Sequence, residues 1–136
     1  AGHIMCQASC EDKGYFGRAV NVQEISAVTA ACMLMKVEDF EAVGGFDEEF
    51  VVAFNDIDLC MKERAAGKKV VFTPYAELYH YESKSRGMED TPEKQFRFEK
   101  ETKRFEEKWG DEMAKGDPYY NPNLSLKEAD CSLRED

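Results

Sequence analysis

The sequence predicts an α/β chain with a few strands in a mixed sheet, two main helices and an extended C-terminal arm. Three observations carry that expectation. Residues 26–36 form a largely apolar run. Two later segments carry helix start and stop signals, and residues 117–126, DPYYNPNLSL, hold too many Asn and Pro residues for a helix.

Residues 1–25 show no clean period and are rich in Gly and polar residues, so they read as a linker or a truncated edge, with AGHIM resembling an expression scar. From Ser26 to Lys36, the run containing Val28, Thr29, Cys32 and Leu34 fits a strand buried on both faces, central in its sheet. Val37 to Val43 is long enough for two helical turns at most. Gly44 and Gly45 end them, since only Gly enters positive φ without a Cβ clash. A second helix begins at Asn55 or Asp56, both good N-cap residues, runs through Ile57, Cys60, Met61 and Arg64, and stops at Gly67. Val70–Phe72 and Glu77–Tyr81 read as two short strands joined by a turn at Thr73 and Pro74. Loop-forming residues occupy 83–90. Thr91 as N-cap and Pro92 at the first helical position then open a long helix that is expected to close at Gly110. Phe98, Phe105 and Trp109 share one stripe of it, the pattern of ordinary core packing. Residues 111–136 are left as the extended arm, packing through Tyr119 and Tyr120.

Composition narrows the function classes. A chain of 136 residues suits one modest core. With 28 acidic against 18 basic residues and a net charge of -10, it lacks the Lys and Arg stripes that a nucleic-acid partner requires. No run approaches the roughly 18–20 apolar residues of a membrane span, and no signal segment opens the chain. Five cysteines, an odd number, two of them in apolar runs, argue for free thiols and a cytoplasmic location. Cys6 and Cys10 have no second Cys or His pair at ligand spacing, so a structural zinc site is not expected. Asn123-Leu124-Ser125 is a glycosylation sequon by pattern only. Phosphate-loop, dinucleotide-fingerprint, zinc-protease and nucleophile-elbow motifs are all missing, which removes kinase, dehydrogenase, metalloprotease and serine-hydrolase readings.

Asp56 is the residue with the clearest chemical potential. A carboxylate at a rigid helix start can act as general base, and the helix dipole favours an anion there. Against this stands the ordinary role of such an Asp as a solvent-facing cap. His80, one of two histidines, closes the strand AELYH among tyrosines, where a packed, satisfied side chain is the commoner outcome.

In order and close spacing, VTAACMLM, GGFDEEF, FNDIDLCMKERAAG and VVFTPYAELYHYESKSRG resemble the second half of a family 2, inverting nucleotide-sugar glycosyltransferase of the A-type fold, of the bacterial cell-surface polysaccharide kind. The resemblance covers roughly residues 14–126. It implies that Asp56 is the catalytic base; the family's usual Glu-Asp is here Asn55-Asp56. It implies an acceptor pocket near Gly45, Phe46, Asp47, Phe54 and Asn55, and a donor sugar above Thr29 and Ala30. His80 would lie near a divalent metal, Mg or Mn, or the diphosphate. Ser83, Ser85 and Arg86 would form a lid over the nucleotide, with Arg86 gripping phosphate oxygens. Asp56-Ile57-Asp58 spells the family's DxD metal pattern, but helical positions two apart point in different directions, and the family's metal motif belongs to its first half.

That first half, a nucleotide-binding strand and helix unit, does not fit in residues 1–25. The expected arrangement is therefore a truncated domain, with 26–110 its acceptor-side half and the isolated chain inactive. A strand at Ala27–Met35 would then expose an unpaired apolar edge and pair with a second copy of the chain. The expected ligands are a nucleotide-sugar donor and a saccharide acceptor. The alternative is a non-catalytic module that binds saccharide or a partner chain around Phe54, Asp56 and residues 79–86. A glycoside hydrolase is disfavoured, since Asp56 and Asp58 on one helix would not flank a glycosidic bond.

Overall fold

The computed structural model describes residues 8–79 and 91–135. Three helices, α1 (Val37–Ala42), α2 (Asn55–Ala65) and α3 (Pro92–Ala114), accompany two short strands, β1 (Gln23–Glu24) and β2 (Val71–Phe72). The strands pair antiparallel, Gln23 opposite Phe72 and Glu24 opposite Val71. Short 3-10 turns occupy Tyr15–Gly17 and Ala30–Cys32. The class is α/β, as expected, but the sheet among the described residues is a two-stranded antiparallel one, not a mixed sheet.

The expected strand over Ser26–Lys36 does not form. Thr29, Met33 and Lys36 keep extended backbone angles, but no neighbouring strand pairs with them among the described residues. The middle of the run is a 3-10 turn capped by Thr29, whose Oγ1 accepts the Ala31 N–H at 3.3 Å. Leu34 is 99% exposed and Cys32 is exposed, so the run is not buried on both faces. Residues 77–79, the described part of the expected strand Glu77–Tyr81, are also irregular. Extended geometry alone does not make a strand, because the ladder needs a partner for its amides and carbonyls.

Helix stop signals translate well after α1 and α2, but the residue that caps the start of α2 is Phe54, with no side-chain cap bond, and not Asn55 or Asp56, which are the first two helical residues. α1 and α2 both end in a motif in which glycine follows the cap. The Gly44 and Gly45 amides donate to the Glu41 and Phe40 carbonyls, at 3.0 and 2.8 Å, and those of Gly67 and Lys68 to Arg64 and Glu63, at 2.9 and 3.0 Å. α3 starts at the Thr91 cap, whose Oγ1 accepts the Lys94 N–H at 3.4 Å. It continues through Gly110 to Ala114 and stops only before Gly116, which takes φ 79°.

The core is small. Phe50 and Phe105 are buried against each other where α3 meets the loop between α1 and α2, and Leu59 and Cys60 are buried on α2. The C-terminal arm folds back on itself instead of running extended. Leu124 bridges Leu133 antiparallel, and Leu124, Ser125 and Cys131 are buried. Its tyrosines do anchor it. The Tyr119 hydroxyl donates to Glu24 at 3.2 Å, its ring lies under the Arg64 guanidinium, and the Tyr120 hydroxyl donates to the Ser125 carbonyl at 2.7 Å. No helix among the described residues is long and apolar enough to cross a membrane.

Candidate functional site

The start of α2 gathers several of the sequence-selected residues. Phe54 precedes the helix in the left-handed region, φ 65°, which costs a non-glycine residue about 1–2 kcal/mol. The cost is met by packing: its ring stacks on Phe98 and Phe105, with centroids 5.7 and 5.0 Å away. Asn55 Oδ1 accepts the Asp56 N–H at 2.8 Å, and Asp56 Oδ1 accepts that of Ile57 at 2.9 Å, so the first-turn amides are satisfied from within the turn. The other Asp56 oxygen accepts the Ala30 N–H at 3.1 Å. That bond joins Asp56 to the Thr29–Ala30 turn, 26 residues earlier.

Asp58 faces elsewhere. Fully buried, at 0% exposure, its Oδ1 accepts from Trp109 Nε1 at 2.8 Å and Lys108 Nζ at 2.7 Å, while Lys62 Nζ stands 3.5 Å from Oδ2. Asp56 thus reaches toward Ala30 and Asp58 toward α3. Among the described residues no three His, Cys, Asp or Glu side chains converge as a metal site. Asp56 and Asp58 therefore do not converge on one ion. His80, which the sequence pattern put in the metal role, lies outside the described residues, as do Ser83, Ser85 and Arg86.

The residues assigned to the acceptor occupy the loop between α1 and α2. Gly45 is buried with φ 63°, and a Cβ there would meet the Phe40 ring at 3.0 Å; its carbonyl accepts from Lys62 Nζ. Phe46 packs edge-on against Phe40, 5.5 Å between centroids, and is 43% exposed. Asp47 accepts from Arg104 Nη2 and Lys108 Nζ, both at 3.1 Å. Burial would push its carboxyl up, but Lys108, the Glu49 amide and Arg104 outweigh this and hold it at about 2.

Beside Thr29 opens a cavity of about 820 Å³, lined by residues that include Val28, Cys32, Met33, Leu59, Cys60 and Val70. Its walls are largely apolar. Cys60 Sγ points to the Val28 carbonyl at 3.7 Å, and burial pushes this thiol up, which keeps it protonated and unreactive. Sequence reasoning did not single out Glu101, buried on α3, which accepts three backbone N–H groups of the loop before Phe54. A lone Glu in a helix full of charges gives no signal of this.

The chain is 53% identical over 134 residues to the uncharacterized protein y4gI of Sinorhizobium fredii, a match covering 98% of this chain and 15% of that protein. It is 40% identical over 126 residues to the O-antigen biosynthesis protein RfbC of Myxococcus xanthus, covering 88% of this chain and 9% of that one. Over 60 residues it is 35% identical to the N-acetylglucosaminyl-diphospho-decaprenol L-rhamnosyltransferase of Mycobacterium tuberculosis, covering 44% of this chain and 20% of the enzyme. The chain thus spans a fifth or less of the length of each of these relatives. No family model and no solved structure matches it.

Proposed function

We propose that this chain is the acceptor-side, C-terminal half of an A-type, inverting nucleotide-sugar glycosyltransferase serving bacterial surface polysaccharide assembly, with Asp56 as general base. The observation that carries the reading is the seating of Asp56 at the α2 start. Its two oxygens each accept one backbone N–H, from Ile57 and Ala30, which fixes the carboxylate between the helix and the Thr29 turn. A carboxylate offers about four lone-pair sites, so two such bonds leave acceptor capacity for a sugar hydroxyl. Names borne by relatives, O-antigen biosynthesis and L-rhamnosyl transfer, support glycosyl transfer as the chemistry.

In this reading an acceptor hydroxyl approaches Asp56. Its O–H bond breaks toward the carboxylate as the oxygen bonds the anomeric carbon, and the bond from that carbon to the nucleoside diphosphate breaks on the opposite face, with the electron pair leaving on phosphate oxygen. Configuration at the anomeric carbon inverts. Phe46 presents an exposed ring beside the acceptor, and Thr29 lies under the donor sugar. The nucleotide and any Mg or Mn ion belong to the rest of the protein and to the segment with His80, Ser83, Ser85 and Arg86. The apolar cavity beside Thr29 is then the seat of the remaining sheet, which accounts for the extended backbone at Thr29, Met33 and Lys36 having no strand partner among the described residues.

The test is transfer by the longer protein, assayed with UDP- and dTDP-activated sugars. Replacing Asp56 by Asn should lower kcat by about 10²–10⁴-fold, the usual worth of a general base, with KM for the donor little changed. Transfer at the parent rate by a folded Asp56→Asn protein would overturn the assignment.

A further inference from the structure

We propose that Glu101 is a positioning residue for Asp56, a role that rests on the reading of Asp56 as base. Glu101 is 2% exposed, and its carboxylate receives three consecutive backbone amides: Val51 and Val52 on Oε1 at 3.1 and 3.3 Å, and Ala53 on Oε2 at 2.6 Å. A buried carboxylate is costly unless its oxygens are satisfied, and here the satisfaction comes from one loop about 50 residues away. Arg97 Nε stands 3.8 Å from Oε1, outside hydrogen-bond range, so the amides are the closer partners.

The same face of α3 also clamps the two ends of this loop. Phe98 and Phe105, three before and four after Glu101, stack on Phe54, and Phe105 meets Phe50 edge-on at 6.1 Å. Residues 50–54 are thus gripped at both ends by rings and in the middle by a carboxylate. Phe54 is thus held in its unfavourable positive φ. Asn55 and Asp56 come directly after it in the chain, and the direction of the Asp56 carboxylate toward Ala30 is inherited from this grip.

Release of the grip should therefore be felt at Ala30, which Glu101 is not seen to touch. The experiment is residue-resolved amide hydrogen exchange on the 136-residue chain with Glu101→Gln, a replacement of the same shape that lacks the charge. Exchange at Val51, Val52 and Ala53 should rise about tenfold or more, and Ala30 should rise with them, while Leu59 and Cys60 within α2 keep their protection. Faster exchange at 51–53 with Ala30 unchanged would make Glu101 a local cap and overturn the proposal; so would no change at 51–53. If Glu101→Gln opens the whole chain, Glu101→Asp keeps the charge but retracts the oxygens, and the same pairing of 51–53 with Ala30 decides. None of these readouts depends on sugar transfer. Normal transfer by Asp56→Asn in the longer protein would sink the general-base reading and leave the exchange result standing.

Discussion

Asp47 and Asp56 are carboxylates on either side of one loop, and their surroundings give them different work. Asp47 is tied to α3 by Arg104 and Lys108, which hold its carboxyl at about 2 against an ordinary value of 3.8. Because the folded value is the lower one, the stabilisation is fully present above pH 3.8 or so and is lost as pH falls toward 2. The stability difference between the parent chain and Asp47→Asn should accordingly be constant from neutral pH down to about 5. It should shrink steadily below about 4, as read from urea midpoints across that range. Of these roles, that of Asp56 was legible as a chemical option, since a carboxylate at a helix start is visible from the letters NDID. The engagement of Asp47 and Asp58 with Arg104, Lys108 and Trp109 was not, because those partners lie about 50–60 residues away and nothing local announces the pairing.

Helix punctuation at Gly44 and Gly67 was readable because the left-handed C-terminal motif is a local affair, settled by a few residues. α3 is the exception that locates the limit of that rule. Its start at Thr91-Pro92 was legible, but Gly110 does not end it. The glycine sits in a helical interior with nothing within 4 Å of where a Cβ would stand, and Gly116 provides the stop. Gly110→Ala should therefore stabilise the chain by about 0.5–1 kcal/mol through reduced backbone freedom in the unfolded state, measured by thermal or urea unfolding. The reason α3 runs on is tertiary. Phe98, Glu101, Arg104, Phe105, Lys108 and Trp109 all engage the 47–58 segment, and that continuous face outweighs the modest cost of one glycine.

At the scale of the whole molecule the chain displays an apolar side that its own described residues do not cover. Leu34 is 99% exposed, Val37 67% and Val71 47%, around the cavity walled by residues 28–36, α2 and β2. Burial of such surface is worth about 25 cal/mol per Å², so the isolated chain should associate with itself. Sedimentation velocity over a concentration series should show a rising average mass, and the double substitution Leu34→Lys, Val71→Lys should suppress it; a concentration-independent monomer would remove the expectation. The α/β class, the helix starts near Asn55 and at Thr91-Pro92, the glycine stops after α1 and α2, and the chemical option at Asp56 were determined by the sequence itself, because glycine turns and apolar periods act within a few residues. Tertiary structure alone decided that residues 26–36 form no ladder among the described residues and turn in their middle, that Asp58 turns into α3 and Glu101 into the 51–53 loop, and that Asp56 faces Ala30. A strand requires a partner, and a buried carboxylate requires donors; both come from distant parts of the chain, where spacing in sequence carries no information about proximity in space.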